Sequence, residues 1–378
     1  MISKNAIVAG FSLYLLLLYV SLSIATRNIL MNDSIKLLVK VLLPVGIGIA
    51  VVGWLMARDF DIDTWRSISW SHTAIAGIAL ALLFTLGRET GLAWRFRVLS
   101  DRKLNWWQCF KITMLCEFVS AITPTTAGGS AVSMVFMKRE GIDAGRGTAL
   151  TMTTLFLDEL FFVVLCPIVF LLEPASRLFG FGNGEMAFSM GFKGAFWIVW
   201  AIVCIWTLIL FTGIFLKPEF IGNVLKRLFR IKWLRRWDKQ IGKIASDMTV
   251  TGKDIKNRSF RWWAKAVSAT FLSWLSRFLV VNAIFLGFAP WSDQLLVFCR
   301  QFVVWTLLTV SPTPGGSGVS EWLFTTYYGD MLGSAGIALI IAIIWRLASY
   351  YLYLFTGAVL VPAWIKKGIK TKHRKHNE

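Results

Sequence analysis

Seven apolar runs of twenty or more residues recur along the 378-residue chain, at Ala6–Ala25, Ile35–Leu55, Thr73–Trp94, Thr148–Leu172, Gly194–Leu216, Trp262–Leu286 and Ser334–Val361. A helix rises 1.5 Å per residue, so about 20 such residues cross the ~30 Å hydrocarbon core of a bilayer. Amides in that core find no water, and a helix bonds them internally. The runs predict an all-α protein, a polytopic membrane helix bundle with seven spans. Composition agrees: only 16% of the residues are charged, well under the roughly 25% of soluble domains. That excludes a soluble enzyme. The first run lacks a small-residue cleavage pattern and precedes further spans, so it reads as a retained helix.

Two more apolar stretches, Trp106–Met137 and Gln294–Tyr328, are broken in the middle by Thr123-Pro-Thr-Thr-Ala-Gly-Gly129 and by Ser311-Pro-Thr-Pro-Gly-Gly-Ser-Gly318. Proline lacks a donor N–H and glycine tolerates any backbone angle, so helices stop and restart there. Charge parity suggests what the breaks do. Arg95, Arg97, Arg102 and Lys103 precede the first stretch, and Lys138, Arg139 and Arg146 follow it. Both flanks read as cytoplasmic, so this stretch should enter and return as a re-entrant hairpin. The second has no basic residue in its flanks and should enter from the outer side. Two oppositely inserted re-entrant hairpins give the bundle inverted-repeat character.

The net charge of +19 is concentrated beside the spans: residues 217–265 carry net +10 and the tail from Lys366 carries net +5. This fits positive-inside topology, a cytoplasmic C-terminus and contact with anionic lipid, and fits nucleic-acid binding less well. Between about 217 and 258, apolar residues recur at helical spacing among Lys and Arg, the pattern of an amphipathic interfacial helix. The chain divides into an extra N-terminal helix and loop (1–34), a transmembrane domain (35–365) and a basic tail (366–378). Many of the nineteen tryptophans stand near span ends, as an aromatic belt would. The five cysteines have no paired spacing, so neither disulfides nor zinc are indicated.

The two bends and the charges buried in the spans are the candidate site. The second arms begin near Gly128-Gly129-Ser130 and near Gly316-Ser317-Gly318, past bends of Pro and Gly-Gly, where helix N-terminal amides attract anions. Two such bends meeting from opposite leaflets would form one electropositive site. Each ionisable group in a span costs about 2.5–3.5 kcal/mol or more unless paired or hydrated. The candidates are Arg88 beside Glu89, Glu117, Asp158, Glu159, Arg277, Arg300, Glu321 and Arg346. They can pair as structural salt bridges or line a polar cavity. Arginine grips phosphate bidentately and carboxylates can hold an amine, so such a cavity suits a lipid with an anionic or zwitterionic head group.

The run Pro124–Lys138 with Gly141, the stretch Leu157-Asp-Glu-Leu160, the Pro-Thr-Pro-Gly-Gly-Ser-Gly-Val-Ser-Glu stretch ending at Glu321, and Arg346 resemble the lysylphosphatidylglycerol synthase transmembrane (flippase-like) family from about Ile35 to Lys367. The resemblance implies a bacterial or archaeal inner-membrane protein that moves a lipid or lipid-linked head group between leaflets. It implies functional roles for Pro124, Gly128, Gly129, Pro314, Gly315, Gly316, Gly318, Glu321 and Arg346. Members often carry Glu-Arg where this chain has Asp158-Glu159. Some relatives also carry a soluble aminoacyl-transferase domain that this sequence lacks, so lipid aminoacylation is not expected.

A lipid translocase with no cofactor, no metal and membrane lipids as partners is the leading expectation, with a homodimer left open. The alternative is an ion- or proton-coupled transporter of a small anion, with Asp158 or Glu159 as proton carrier. A membrane enzyme ranks below both. Its one cue, Asp61-Ile-Asp63, resembles a glycosyltransferase metal motif over only three residues, and the membrane core holds neither Ser-His-Asp nor metal-ligand spacing.

Overall fold

A computed structural model describes residues 70–123, 128–180, 186–216, 250–311, 313, 315–333, 335–357, 359–360 and 364. The first two expected spans, residues 217–249 of the amphipathic segment, Pro124, Pro314 and the basic tail lie outside the described residues. Among the described residues all regular structure is helical.

The elements are α1 (His72–Leu99), α2 (Trp106–Ile122), α3 (Gly128–Arg139), α4 (Ala144–Leu172), the single turn α5 (Ala175–Leu178), α6 (Met186–Phe211), α7 (Phe260–Phe288), α8 (Gln294–Leu308), α9 (Val319–Leu332) and α10 (Ala335–Arg346). Helix α6 ends in a π turn, Thr212–Leu216, and α10 continues through another, Leu347–Tyr351. Five helices are long and apolar enough to cross a membrane: α1, α4, α7, Met190–Leu216 and Gly336–Gly357. They coincide with five of the seven expected spans. Their outer faces carry exposed Leu83, Leu86, Leu171, Ile198 and Leu208, a surface suited to lipid rather than water.

Local chemistry starts these helices where the sequence supplies caps. Ser71 Oγ accepts the Ala74 amide, Asn105 and Gln108 exchange bonds in a capping box, and Asp293 accepts the amides of Leu295 and Leu296. Inside the spans, threonines such as Thr85, Thr151, Thr153, Thr154 and Thr270 give their hydroxyl protons to carbonyls four residues back. Polar side chains are thereby satisfied without leaving their own helix.

Helices α1 and α7 form the central antiparallel pair. Gly77 lies against Ala283 and Gly287, while Gly91 lies against Ala269 and Ser273; a Cβ on Gly77 would sit 2.7 Å from the Ala283 oxygen. Small residues facing each other let these backbones approach within van der Waals contact, where lipid offers no hydrophobic drive to association.

Each broken stretch folds back on itself. Along α2 and α3, Lys111 pairs with Glu140 at 2.8 Å near the open end, and the Gly129 amide donates to Ser120 Oγ at 3.0 Å near the bend. Along α8 and α9, the Tyr328 hydroxyl donates to the Val297 carbonyl at 3.1 Å and Arg300 bonds Asp330 at 2.8 Å. The first pair opens beside the C-terminal end of α1 and the second beside the C-terminal end of α7. Since α1 and α7 are antiparallel, the two pairs open toward opposite ends of the bundle.

Candidate functional site

The bends of the two helix pairs touch. The Gly315 amide donates to the Thr123 carbonyl at 3.2 Å, and the Tyr350 hydroxyl donates to the Ala121 carbonyl, also at 3.2 Å. Beside this junction is a cavity of about 150 Å³ walled by α1, α2, α4, α7, α8, the second bend and the π turn after α10. That is the order of size that admits a six-membered ring.

Of the residues singled out from sequence, Arg88, Glu117, Asp158, Glu159, Arg277, Gly315 and Arg346 line this cavity. Glu321 is buried behind Arg346. Gly316 and Gly318 lie in the second bend with φ of 70° and 81°, the left-handed region that favours glycine. Gly128 is the first residue of α3, and Gly129 packs on the Cys116 carbonyl. Arg300 lies elsewhere. Near the open end of its own hairpin it binds both oxygens of Asp330 and the carbonyls of Tyr327, Arg177 and Gly180. At that end of the bundle the Arg177 guanidinium, 2.6 Å from Asp293, holds the Asp293 carboxyl below the usual carboxylate range.

Most of the cavity's charges are already spoken for. Arg88, 4% exposed, bonds Glu89 on its own helix, Glu117 on α2 at 2.7 Å and the Tyr353 hydroxyl at 2.8 Å. Tyr353 in turn donates to Glu89 at 2.8 Å. Arg95, 3% exposed, grips both oxygens of Asp158 at 2.5 and 3.1 Å, and Trp274 Nε1 donates to the same carboxylate. Arg346 Nε donates to Glu321 at 2.9 Å and Arg346 Nη2 to the Gly315 carbonyl at 3.1 Å, so this ion pair clamps the second bend.

Glu321 also accepts the Gly318 amide at 2.7 Å and the Ser320 hydroxyl at 2.9 Å. Of the amides that sequence reasoning offers to an anion, those of Gly129, Gly316 and Gly318 have internal partners in Ser120, the Thr313 carbonyl and Glu321. The cationic character of the cavity comes from its arginines instead.

Arg277 differs from the others. It has no hydrogen bond or ion pair with any other described residue, and its Nε is buried without a partner. Its guanidinium carbon lies 3.7 Å from the Trp305 ring centroid and 5.2 Å from that of Trp274. Two indole faces can return on the order of 2 kcal/mol of the cost of a desolvated cation, leaving the N–H edge available to a ligand. Glu159 likewise has no basic partner among the described residues.

Sequence reasoning missed Arg95, Tyr350, Tyr353, Trp274 and Trp305 as cavity residues. Arg95 read as a flank charge. Yet Arg88, Leu92 and Arg95 follow at i, i+4 and i+7, and Arg346, Ser349, Tyr350 and Tyr353 at i, i+3, i+4 and i+7; both stripes line the cavity. A polar stripe at helical spacing inside an apolar run was the available signal.

The profile of the family described as the lysylphosphatidylglycerol synthase TM region matches residues 38–357. A UPF0104 membrane protein from Archaeoglobus fulgidus is 23% identical over 312 residues, covering 79% of this chain and 90% of that protein. No solved structure matches significantly. With the match running through every cavity-lining element, the chain belongs to the lysylphosphatidylglycerol synthase TM region family and is a multi-pass membrane protein.

Proposed function

We propose that this protein carries a lipid with an anionic or zwitterionic head group between the leaflets, holding the head group in the arginine-walled cavity where the two bends meet. In this reading the helix pairs α2–α3 and α8–α9 are re-entrant hairpins inserted from opposite leaflets. The C-terminus is cytoplasmic, and the membrane is the inner membrane of a bacterium or archaeon. The observation that carries the proposal is Arg277: a guanidinium at the cavity wall, over the Trp305 ring and in the corner it makes with the nearly perpendicular Trp274, with no hydrogen bond or ion pair to another described residue.

A lipid is favoured over a small soluble anion by what lies beside the cavity. Leu157, Leu160, Val164, Ile168, Val267 and Phe271 form an almost wholly apolar groove of about 130 Å³ on the α4–α7 seam. Phe161 in this groove is stacked on Trp274 of the cavity wall, with centroids 5.9 Å apart. An acyl chain can lie in the groove while its head group reaches Arg277, so neither half of the amphiphile meets the wrong solvent.

The test is reconstitution of the full chain in vesicles carrying a fluorescent phospholipid, with membrane-impermeant quencher outside. Faster loss of the protected inner-leaflet signal than in protein-free vesicles is expected. A rate equal to that of empty vesicles, combined with anion uptake driven by a pH gradient, would instead favour proton-coupled anion transport through Glu159. Insertion of the first hairpin is checked separately. Impermeant amine labelling of single-lysine variants should reach Lys103 and Lys138 from the same side, and labelling from opposite sides would remove the hairpin.

A further inference from the structure

A second, independent site lies at the end of the bundle where α1 stops and α2 and α7 begin. A bay of about 660 Å³ opens there, lined by Arg97, Arg102, Arg261 and Lys265 together with the indoles of Trp94, Trp106 and Trp262. None of the four basic side chains has a carboxylate partner among the described residues. Arg97 donates to the Leu104 carbonyl at 2.9 Å and lies 5.4 Å from the Trp106 ring, which fixes its direction.

The one acid in the lining, Asp101, is already neutralised. It accepts from Arg146 at 2.6 Å, from Arg258 at 2.7 Å and from Trp262 Nε1 at 3.1 Å, tying the turn after α1 to the starts of α4 and α7. These bonds also hold Asp101 and Arg102 at φ of 53° and 62°. Consecutive left-handed non-glycine residues are strained and persist only where their surroundings impose them. The strained turn is what brings Arg102 into the bay.

We infer that this bay binds the phosphate of an anionic phospholipid from the surrounding leaflet. Its location at the ends of two membrane-crossing helices puts it at head-group depth. Indoles prefer that depth, and basic pockets between span ends are matched to anionic head groups by charge. Arg97, Arg102 and Arg261 offer forked donors to phosphate oxygens, and the tryptophans cover the glycerol and first methylenes. The central cavity is not involved, so this inference stands or falls apart from the translocation reading.

Native mass spectrometry of the purified, delipidated full chain given equal phosphatidylglycerol and phosphatidylcholine of the same acyl chains tests it. The wild type is expected to retain phosphatidylglycerol preferentially. Lys265→Gln should weaken that retention about fivefold and Arg102→Gln/Arg261→Gln about twenty-fivefold, at roughly one factor of five per charge at a membrane surface. All three side chains are exposed, so folding is preserved.

Lys103→Gln/Lys138→Gln, which removes two charges outside the lining, should leave the preference in place. The inference is overturned by any of three results: no preference in the wild type, unchanged retention in both bay variants, or equal loss in the Lys103/Lys138 control. Displacement of the lipid by a millimolar excess of inorganic phosphate would likewise overturn it, showing a site for a soluble anion.

Discussion

Arg277→Met should slow transbilayer lipid movement by about tenfold or more. A charge-assisted bond from a guanidinium to phosphate contributes about 1.5–3 kcal/mol, and methionine keeps an apolar stem beside the Trp305 and Trp274 rings while removing every donor. Arg277→Lys should fall between methionine and the wild type, because an ammonium keeps the charge but cannot offer a forked edge while stacked on Trp305. Movement of the lipid in Arg277→Met at the wild-type rate would take the head group out of this cavity. Thermal unfolding of the same variants separates loss of binding from loss of fold: losing a cation that has no ion-pair partner among the described residues should leave the melting temperature level or raise it.

The opposite behaviour is expected of the Glu321–Arg346 pair. The two groups are 1% and 5% exposed, and removing one of them strands the other charge in the protein interior. Glu321→Ala or Arg346→Ala should each cost about 3–5 kcal/mol, whereas the double change Glu321→Met/Arg346→Met should recover most of that loss, since replacing a whole buried pair by apolar groups is often near neutral. Denaturant or thermal unfolding of the three variants measures this. If Glu321→Ala melts within about 1 kcal/mol of the wild type, the pair does not hold the second bend. Lipid movement is expected to suffer in the double variant too, because Arg346 also anchors the Gly315 carbonyl beside the cavity.

Five of the seven expected spans coincide with helices long and apolar enough to cross a membrane, because bilayer crossing is a one-dimensional property, length times hydropathy, and needs no knowledge of neighbours. The bends were legible for a similar reason: Gly316 and Gly318 are where the backbone takes positive φ, and the sequence carries glycine there. What could not be read was pairing. Arg95 and Arg97 look alike in the sequence, two residues apart near the end of a span, yet one is locked to Asp158, 63 positions away, and the other faces the surface bay.

Arg300 shows the converse. A lone arginine in a broken apolar stretch looks like a binding residue, but its partners are Asp330 on the returning arm and carbonyls more than a hundred positions away. Whether a buried cation is spent or available depends on those distant partners, so Arg277 could be nominated from the sequence but not set apart from its companions.

The bond between the Gly315 amide and the Thr123 carbonyl joins main chain to main chain. The two bends, whose arms open toward opposite ends, are therefore hinged on each other's backbone. A tilt of either arm that widens the cavity must stretch or break this link, which makes one arm a lever on the other. No side chain supplies the link, so no truncation can delete it. It can be pried apart by adding bulk at residue 315, where a Cβ would collide with the ring of Tyr350.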